Sequence, residues 1–403
     1  MKGYILFNGN IRLDVDFVWR YAHRILASHH VDPEVRQWKK VLLCTAAWQH
    51  NEFEEQHVKD ALFRIGIPSR PDAGGMEGNV QNLSVYHEFK QFMADESAIE
   101  RLFRESQDVI RRTKEFYRRK NNEFLRILRE TVKYVRELFP QAALADVLAY
   151  DVVHARERLR RLDDRGLLFH YCCQDVQDTL AKIVENDAAQ LRICTEIEAY
   201  FRDRSRLDEN PRFIAVRDRL RTRVLSANTI MMFGGNLYVL LTCLRFFRLR
   251  NAFHEALFRG TNYYSVSAGS MALAEKIIVY DDFWGDGREQ NRKEFEFFDN
   301  GLGLVSRITL FPHCMDRIQT DDADNLAYLA NRFSTGPCVG LNEDSFLLAE
   351  SFSDERLGCV RERYLSVGEK DGVYVFDRRG TKTVRMQGDE VVEVDGRLPG
   401  ASI

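Results

Sequence analysis

From Asn79 to Arg165 the chain contains no glycine, and none lies between Gly166 and Gly234. Pro140 and Pro211 are the prolines of that whole interval. A chain that turns often needs residues that accept positive φ or preset a turn, and glycine and proline are the usual choices. Their scarcity here, in a stretch rich in Glu, Arg, Lys, Leu and Ala, leaves long helices as the natural solution. The apolar spacing agrees. Leu125, Leu128, Val132, Val135 and Phe139 follow a three- and four-residue seam, and Leu102, Val109 and Phe116 are seven apart. Long amphipathic helices are therefore expected over roughly 91–222. Within them the run from Arg111 to Lys120 (RRTKEFYRRK) is locally basic. It reads as a solvated helix face, with an acidic or phosphorylated partner as the alternative.

The flanks read differently. Tyr4 to Phe7, Val41 to Cys44 and Leu83 to Tyr86 are short apolar runs suited to buried strands, with helical spacing from Phe17 to Leu26 and from Val58 to Ile65 between them. After Val224 the alternation resumes. Strands are expected at Thr229–Phe233, Tyr263–Val266, Ile277–Tyr280 and Ile308–Phe311, and helices at Leu237–Phe247 and Ala268–Lys276. The tail from Gly372 to Val394 alternates around Gly and Asp and suggests antiparallel hairpins at a sheet edge. The expectation is an α/β domain formed by 1–90 and 223–403, with a mostly parallel sheet flanked by helices, split by an all-helical insertion at 91–222.

Bulk properties exclude some classes. A formal net charge of -3 gives no bulk attraction for nucleic acid or a membrane surface. No apolar run approaches the roughly 20 residues that span a bilayer, and the N-terminal segment reads as a strand rather than a secretory signal, so a cytoplasmic location is expected. The 8 cysteines form no C-x-x-C pair and are expected as free thiols, without a zinc site or disulfide framework. No phosphate-binding G-x-x-x-x-G-K-[ST] loop and no H-E-x-x-H helix occurs, and no cofactor or metal is expected.

Three segments carry chemistry. In NYYSVSAGSMALAEK, residues 262–276, a β-prone run leads into Ser267 and then at once into small residues and a helix-forming stretch. That is the pattern of a nucleophile elbow, where a serine at the apex of a strand-to-helix turn needs small neighbours such as Ser265 and Gly269. In FGGNLYVLL, residues 233–241, two glycines end a strand and let backbone N–H groups approach a ligand. In GLGLVSRITLFPHCMDR, residues 301–317, His313 follows a strand and a proline and comes after the serine in the chain. Each segment alone has a purely structural reading.

In order along the chain, these segments resemble the peptidase E and cyanophycinase family of serine peptidases, whose fold is similar to that of class I glutamine amidotransferases. The family's G-G-G-N or G-G-D turn resembles Gly234-Gly235-Asn236, its G-x-S-A-G elbow resembles Ser265 to Gly269, and its G-L-G-L stretch followed by P-H resembles Gly301 to Leu304 and Pro312-His313. Residues 41–67 are similar to its second strand and helix. The resemblance covers roughly 1–90 and 223–385. It implies a triad of Ser267, His313 and an acid, with Asp282 favoured, Asp281 close behind, and Glu343 able instead to orient the histidine or contact substrate. It also implies an oxyanion hole from the backbone N–H groups of Gly235 and Ala268. The expected partner is a peptide or amide substrate. Ser265 departs from the family's first elbow glycine, and the helical insertion has no counterpart in ordinary members. That leaves a homodimer or protein partner through the insertion open, as well as a non-catalytic scaffold or regulatory role.

Overall fold

A computed structural model of the chain describes residues 3–9, 27–68, 78–153, 163–279, 297–305, 307–333, 336–342, 345–354, 359–367, 372–386 and 388–396. The first α/β segment comprises β1 (Tyr4–Asn8), α1 (Pro33–Trp38), β2 (Val41–Cys44), a 3-10 turn (Ala46–Asn51), α2 (Gln56–Arg64) and β3 (Val80–Asn82). Helices follow: α3 (Val85–Asp95), α4 (Ser97–Leu138), α5 (Leu144–Ala149), α6 (Asp164–Ser205) and α7 (Pro211–Leu225). The alternation then returns with β4 (Thr229–Met232), α8 (Leu237–Phe246), α9 (Arg250–Phe258), β5 (Asn262–Val266), α10 (Ala268–Leu273), β6 (Lys276–Val279), β7 (Phe297–Asn300) and β8 (Thr309–Pro312). The rest is α11 (Cys314–Arg317), α12 (Ala323–Phe333), β9 (Cys338–Leu341), β10 (Phe346–Asp354), β11 (Cys359–Ser366), β12 (Val373–Phe376), β13 (Lys382–Arg385) and β14 (Glu390–Gly396).

The main sheet has 8 strands in the order β14-β11-β10-β1-β5-β4-β2-β3. The five strands from β1 to β3 in that order run parallel, and β10, β11 and β14 extend the β1 side antiparallel. Strands buried on both faces are apolar in near-continuous runs rather than at alternate positions, as the middles of β1, β2, β4 and β5 are. Ile5 and Phe7 face one core with Leu42, Cys44, Ile230, Met232 and Tyr263. Tyr4 and Leu6 face the other with Val41, Leu43, Met231 and Tyr264. The register pairs Met232 with both Cys44 and Ser265, and Asn8 with Val266 one residue further on, so the turns that follow β1, β2, β4 and β5 share a rim. That carboxyl-end rim is where open α/β sheets bind ligands.

The expected mostly parallel sheet with an inserted helical region is present, and several local expectations are corrected. Leu83–Tyr86 is not the third strand: the strand is Val80–Asn82, and Tyr86 lies in the first turn of α3, where Glu52 accepts the backbone N–H groups of Tyr86 and His87. The carboxylate supplies the cap that the left-handed Ser84 does not. Helix α10 ends at Leu273, and Lys276 already belongs to β6. Strand β8, which leads to His313, is in a separate sheet of order β13-β12-β9-β8. The tail forms the β12–β13 hairpin at the edge of that sheet, while β14 edges the main one. The helix expected at Phe17–Leu26 lies outside the described residues.

The expected long helices are present as α4 and α6, 42 residues each, which pack against one another as a hairpin. At 1.5 Å per residue each is about 60 Å long. The seam is buried inside the single chain: Leu125, Leu128, Val132 and Val135 pack on Cys173, Val176, Leu180 and Ile183, and both rows join Phe311, Leu329 and Phe376 from the second-sheet layer. The first turns of α4 join the main core instead, through Ile99, Leu102 and Phe103. Of the seven-residue series, Val109 and Phe116 are exposed. Between its two apolar ends α4 is anchored by charge. Lys114 reaches Asp299 at 2.6 Å, and Asn121 donates to Asp187 at 2.7 Å. Asp187 also receives two hydrogen bonds from Arg332 of α12, a side chain 1% exposed.

Candidate active site

Strand β5 ends at Val266, and Ser267 has φ 50 and ψ -115. Few residues with a Cβ adopt that backbone, and holding it costs about 1–3 kcal/mol. The surroundings enforce it. The Ser267 N–H donates to the Asn8 carbonyl at 3.0 Å, and Met271 N–H donates back to Ser267 O at 3.1 Å. A Cβ on Gly269 would stand 2.2 Å from the Met232 carbonyl, so only glycine lets α10 pass so close behind β4. The neighbouring serines have other duties. Ser270 Oγ donates to the Asn8 carbonyl at 2.9 Å and Ser265 Oγ to the Leu6 carbonyl at 3.1 Å, tying β5 and α10 to β1. Both are fully buried, whereas Ser267 is partly accessible.

His313 lies just past β8 with φ 55 and ψ 40, opening α11. Its Nε2 is 2.9 Å from Ser267 Oγ. For the hydroxyl to donate, the ring proton must sit on Nδ1. The histidine is steadied from the neighbouring strand end: Met315 N–H donates to Oδ1 of Asn342 at 3.1 Å, and Asn342 N–H donates to Ser345 Oγ at 2.6 Å. Asn8 Nδ2 in turn donates to the Ser345 carbonyl at 3.2 Å, so one chain of buried polar groups joins the serine turn to the histidine turn. On the far side of His313, Asp316 Oδ2 is 4.0 Å from Nδ1, too long for a hydrogen bond, and its side chain is 78% exposed.

The glycine turn after β4 abuts the elbow. A Cβ on Gly234 would meet Ser267 Cβ at 2.9 Å and Ala268 N at 3.3 Å. Gly235 has φ +129, and a Cβ there would meet the Ala47 carbonyl at 2.8 Å; that carbonyl accepts Asn236 N–H at 2.9 Å. Asn236 caps α8 by accepting Val239 N–H. The structure thus brings Ser267, Ala268, Gly234, Gly235, Asn236 and His313 together on the rim. Asp281, Asp282 and Glu343 lie outside the described residues. Sequence reasoning passed over Asn8, whose signal was present: a buried polar residue ending an apolar strand just before a glycine. It also could not see the positive φ of Ser267 and His313, since both residues are ordinary in type.

Burial pushes the thiols of Cys44 and Cys173 up to about 12 and that of Cys194 up to about 11, so they stay protonated and unreactive at neutral pH.

A strained serine at the carboxyl end of a parallel strand, hydrogen-bonded to a histidine and backed by a glycine turn, is the constellation of a serine hydrolase on an α/β sheet. Residues 201–353 match the model of peptidase family S51. The matched span contains the G-G-N turn, Ser267 and His313, and it supports a serine peptidase of the peptidase E-like kind. No curated protein matches the chain. Among solved structures the chain is similar to the crystal structure of a peptidase from an acI-B1 Actinobacterium, at 13% identity over 97% of both chains with a TM-score of 0.43. Among the described residues no helix is long and apolar enough to cross a membrane.

Proposed function

We propose that the chain cleaves an amide bond through an acyl-enzyme, with Ser267 as nucleophile and His313 as its base. The observation that carries this reading is the 2.9 Å approach of Ser267 Oγ to His313 Nε2 from two residues in strained backbone. Ser267 Oγ attacks the substrate carbonyl carbon while its proton passes to Nε2. The N–H groups of Gly235 and Ala268 hold the oxyanion, each such donor being worth about 3 kcal/mol. The C–N bond then breaks as His313 returns the proton to the leaving amine. Water, deprotonated by the same histidine, frees the acyl group from Ser267. Asp282 orients His313 and stabilises its imidazolium, with Asp281 and then Glu343 as the next candidates. The location is cytoplasmic. The insertion, residues 91–222, is a unit set into the α/β domain of 1–90 and 223–403. A dimer or partner contact through it would use residues other than Leu128, Val132 and Val135, which are already buried.

Turnover of a peptide library tests the reading. Asp282→Asn should lower the rate on the order of 10⁴ with the fold intact, and exposed Asp316→Asn should be mild. A crippling Asp281→Asn would move the assignment by one residue. If neither aspartate matters, Glu343→Gln becomes the decisive variant.

A further inference from the structure

The basic run of α4 lines a cleft of about 790 Å³ between the helical hairpin and the α/β layer. That is the size of a binding site rather than a packing defect, since ligand pockets run to roughly 300–1,000 Å³. One wall is the α4 face that carries Arg104, Gln107 and Arg111. Asn236 and Tyr238, at the start of α8, also line it, and the Tyr238 hydroxyl donates to Gln107 Oε1 at 2.7 Å. The cleft therefore begins two residues beyond Gly234, the glycine that touches Ser267.

The charges lining it divide by strength. Lys114 is committed to Asp299, whose own side chain is 7% exposed, and Arg332 is committed to Asp187 by two hydrogen bonds. Removing either acid would strand a buried charge, so these pairs stay closed. Arg104 pairs with Glu100, Arg111 with Asp108 and Arg118 with Glu115, but the first two arginines are 79% and 72% exposed and the third is 37% exposed. Exposed pairs of this type contribute little, so each guanidinium can exchange its partner for an incoming carboxylate with little loss.

We propose that this cleft is the extended substrate subsite of the peptidase. It takes a peptide segment with acidic side chains away from the scissile bond, and Arg104 and Arg111 receive the carboxylates. The proposal rests on the reading of Ser267 as nucleophile. It assigns the insertion a direct part in substrate choice.

The test uses the full-length Ser267→Ala chain, which cannot turn over a bound peptide, and a fluorescein-labelled peptide of alternating Glu and Ala. Fluorescence anisotropy should show this probe binding at least about tenfold tighter than its Gln counterpart, with the gap shrinking as salt rises. Arg104→Glu with Arg111→Glu should erase the preference, and Arg104→Gln with Arg111→Gln should reduce it while leaving far-ultraviolet circular dichroism unchanged. Equal binding of the two peptides, or an undiminished preference in the charge-reversed chain, would overturn the proposal. Stronger binding of an oligonucleotide than of the Glu peptide would overturn the peptide assignment as well. Fluorophosphonate labelling of the wild-type chain reads the serine independently. Labelling without a Glu preference sinks only the cleft, whereas a Glu preference without labelling removes the peptidase reading and the subsite with it.

Discussion

The serine turn and the helical hairpin encode their structures in opposite ways. At the turn, a handful of residues is decisive because backbones touch: Gly269 against the Met232 carbonyl, Gly234 against Ser267, and Ser267 itself held at φ 50. In the hairpin the code is instead the repeat of Leu125, Leu128, Val132 and Val135 against Cys173, Val176, Leu180 and Ile183. The turn concentrates strain for chemistry, and the hairpin spreads burial for stability. A change at the turn should therefore alter activity far more than folding, and a change in the hairpin should do the reverse.

The largest separation is expected from the pair at the turn. Ser267→Ala and His313→Ala should each abolish peptide turnover nearly as fully as both together, because such groups act as a unit. Ser267→Gly should do the same and also raise the melting temperature, since it releases part of the roughly 1–3 kcal/mol held in that backbone. Unfolding in urea should show the opposite pattern for Arg332→Ala. Loss of the partner buried with Asp187 is expected to remove about 3–5 kcal/mol, and Leu128→Ala about 2–5 kcal/mol. A full loss of stability in Ser267→Ala, or none in Arg332→Ala, would break the contrast.

Asp299 sharpens it through pH. Burial alone would raise its pKa, but Arg245 and Lys114 hold it below the usual carboxylate range. A depressed folded value stabilises the protein above the unfolded pKa, about 3.9, and that contribution disappears as pH falls through the lower folded value. Asp299→Asn should therefore lower stability at neutral pH and flatten its acid dependence below about pH 4. The smallest effect should come from Ser265→Ala, which removes its buried hydrogen bonds to the Leu6 carbonyl and with Ser270 Oγ, each worth about 1 kcal/mol, and leaves turnover largely intact.

The same contrast explains what could be read from the amino acids. The hairpin was legible because a glycine-free, periodic stretch permits few alternatives. The elbow was legible because its small residues are adjacent in the chain. Leu83–Tyr86 misled because it is apolar, yet Glu52, more than 30 residues away, caps the helix that begins there. The second sheet was hidden for a related reason: β8 and β9 are as apolar as the strands of the main sheet, and sheet membership is set by pairing rather than by composition. The link from Asn8 through Ser345 to Asn342 joins segments more than 300 residues apart and leaves no local pattern.

The most direct test of the account is fluorophosphonate labelling of the full-length chain followed by peptide mapping. A nucleophilic serine activated by His313 predicts one modified residue, Ser267, with labelling lost in both Ser267→Ala and His313→Ala. A folded chain that stays unlabelled, or a modification mapped to Ser265 or Ser270, would contradict it.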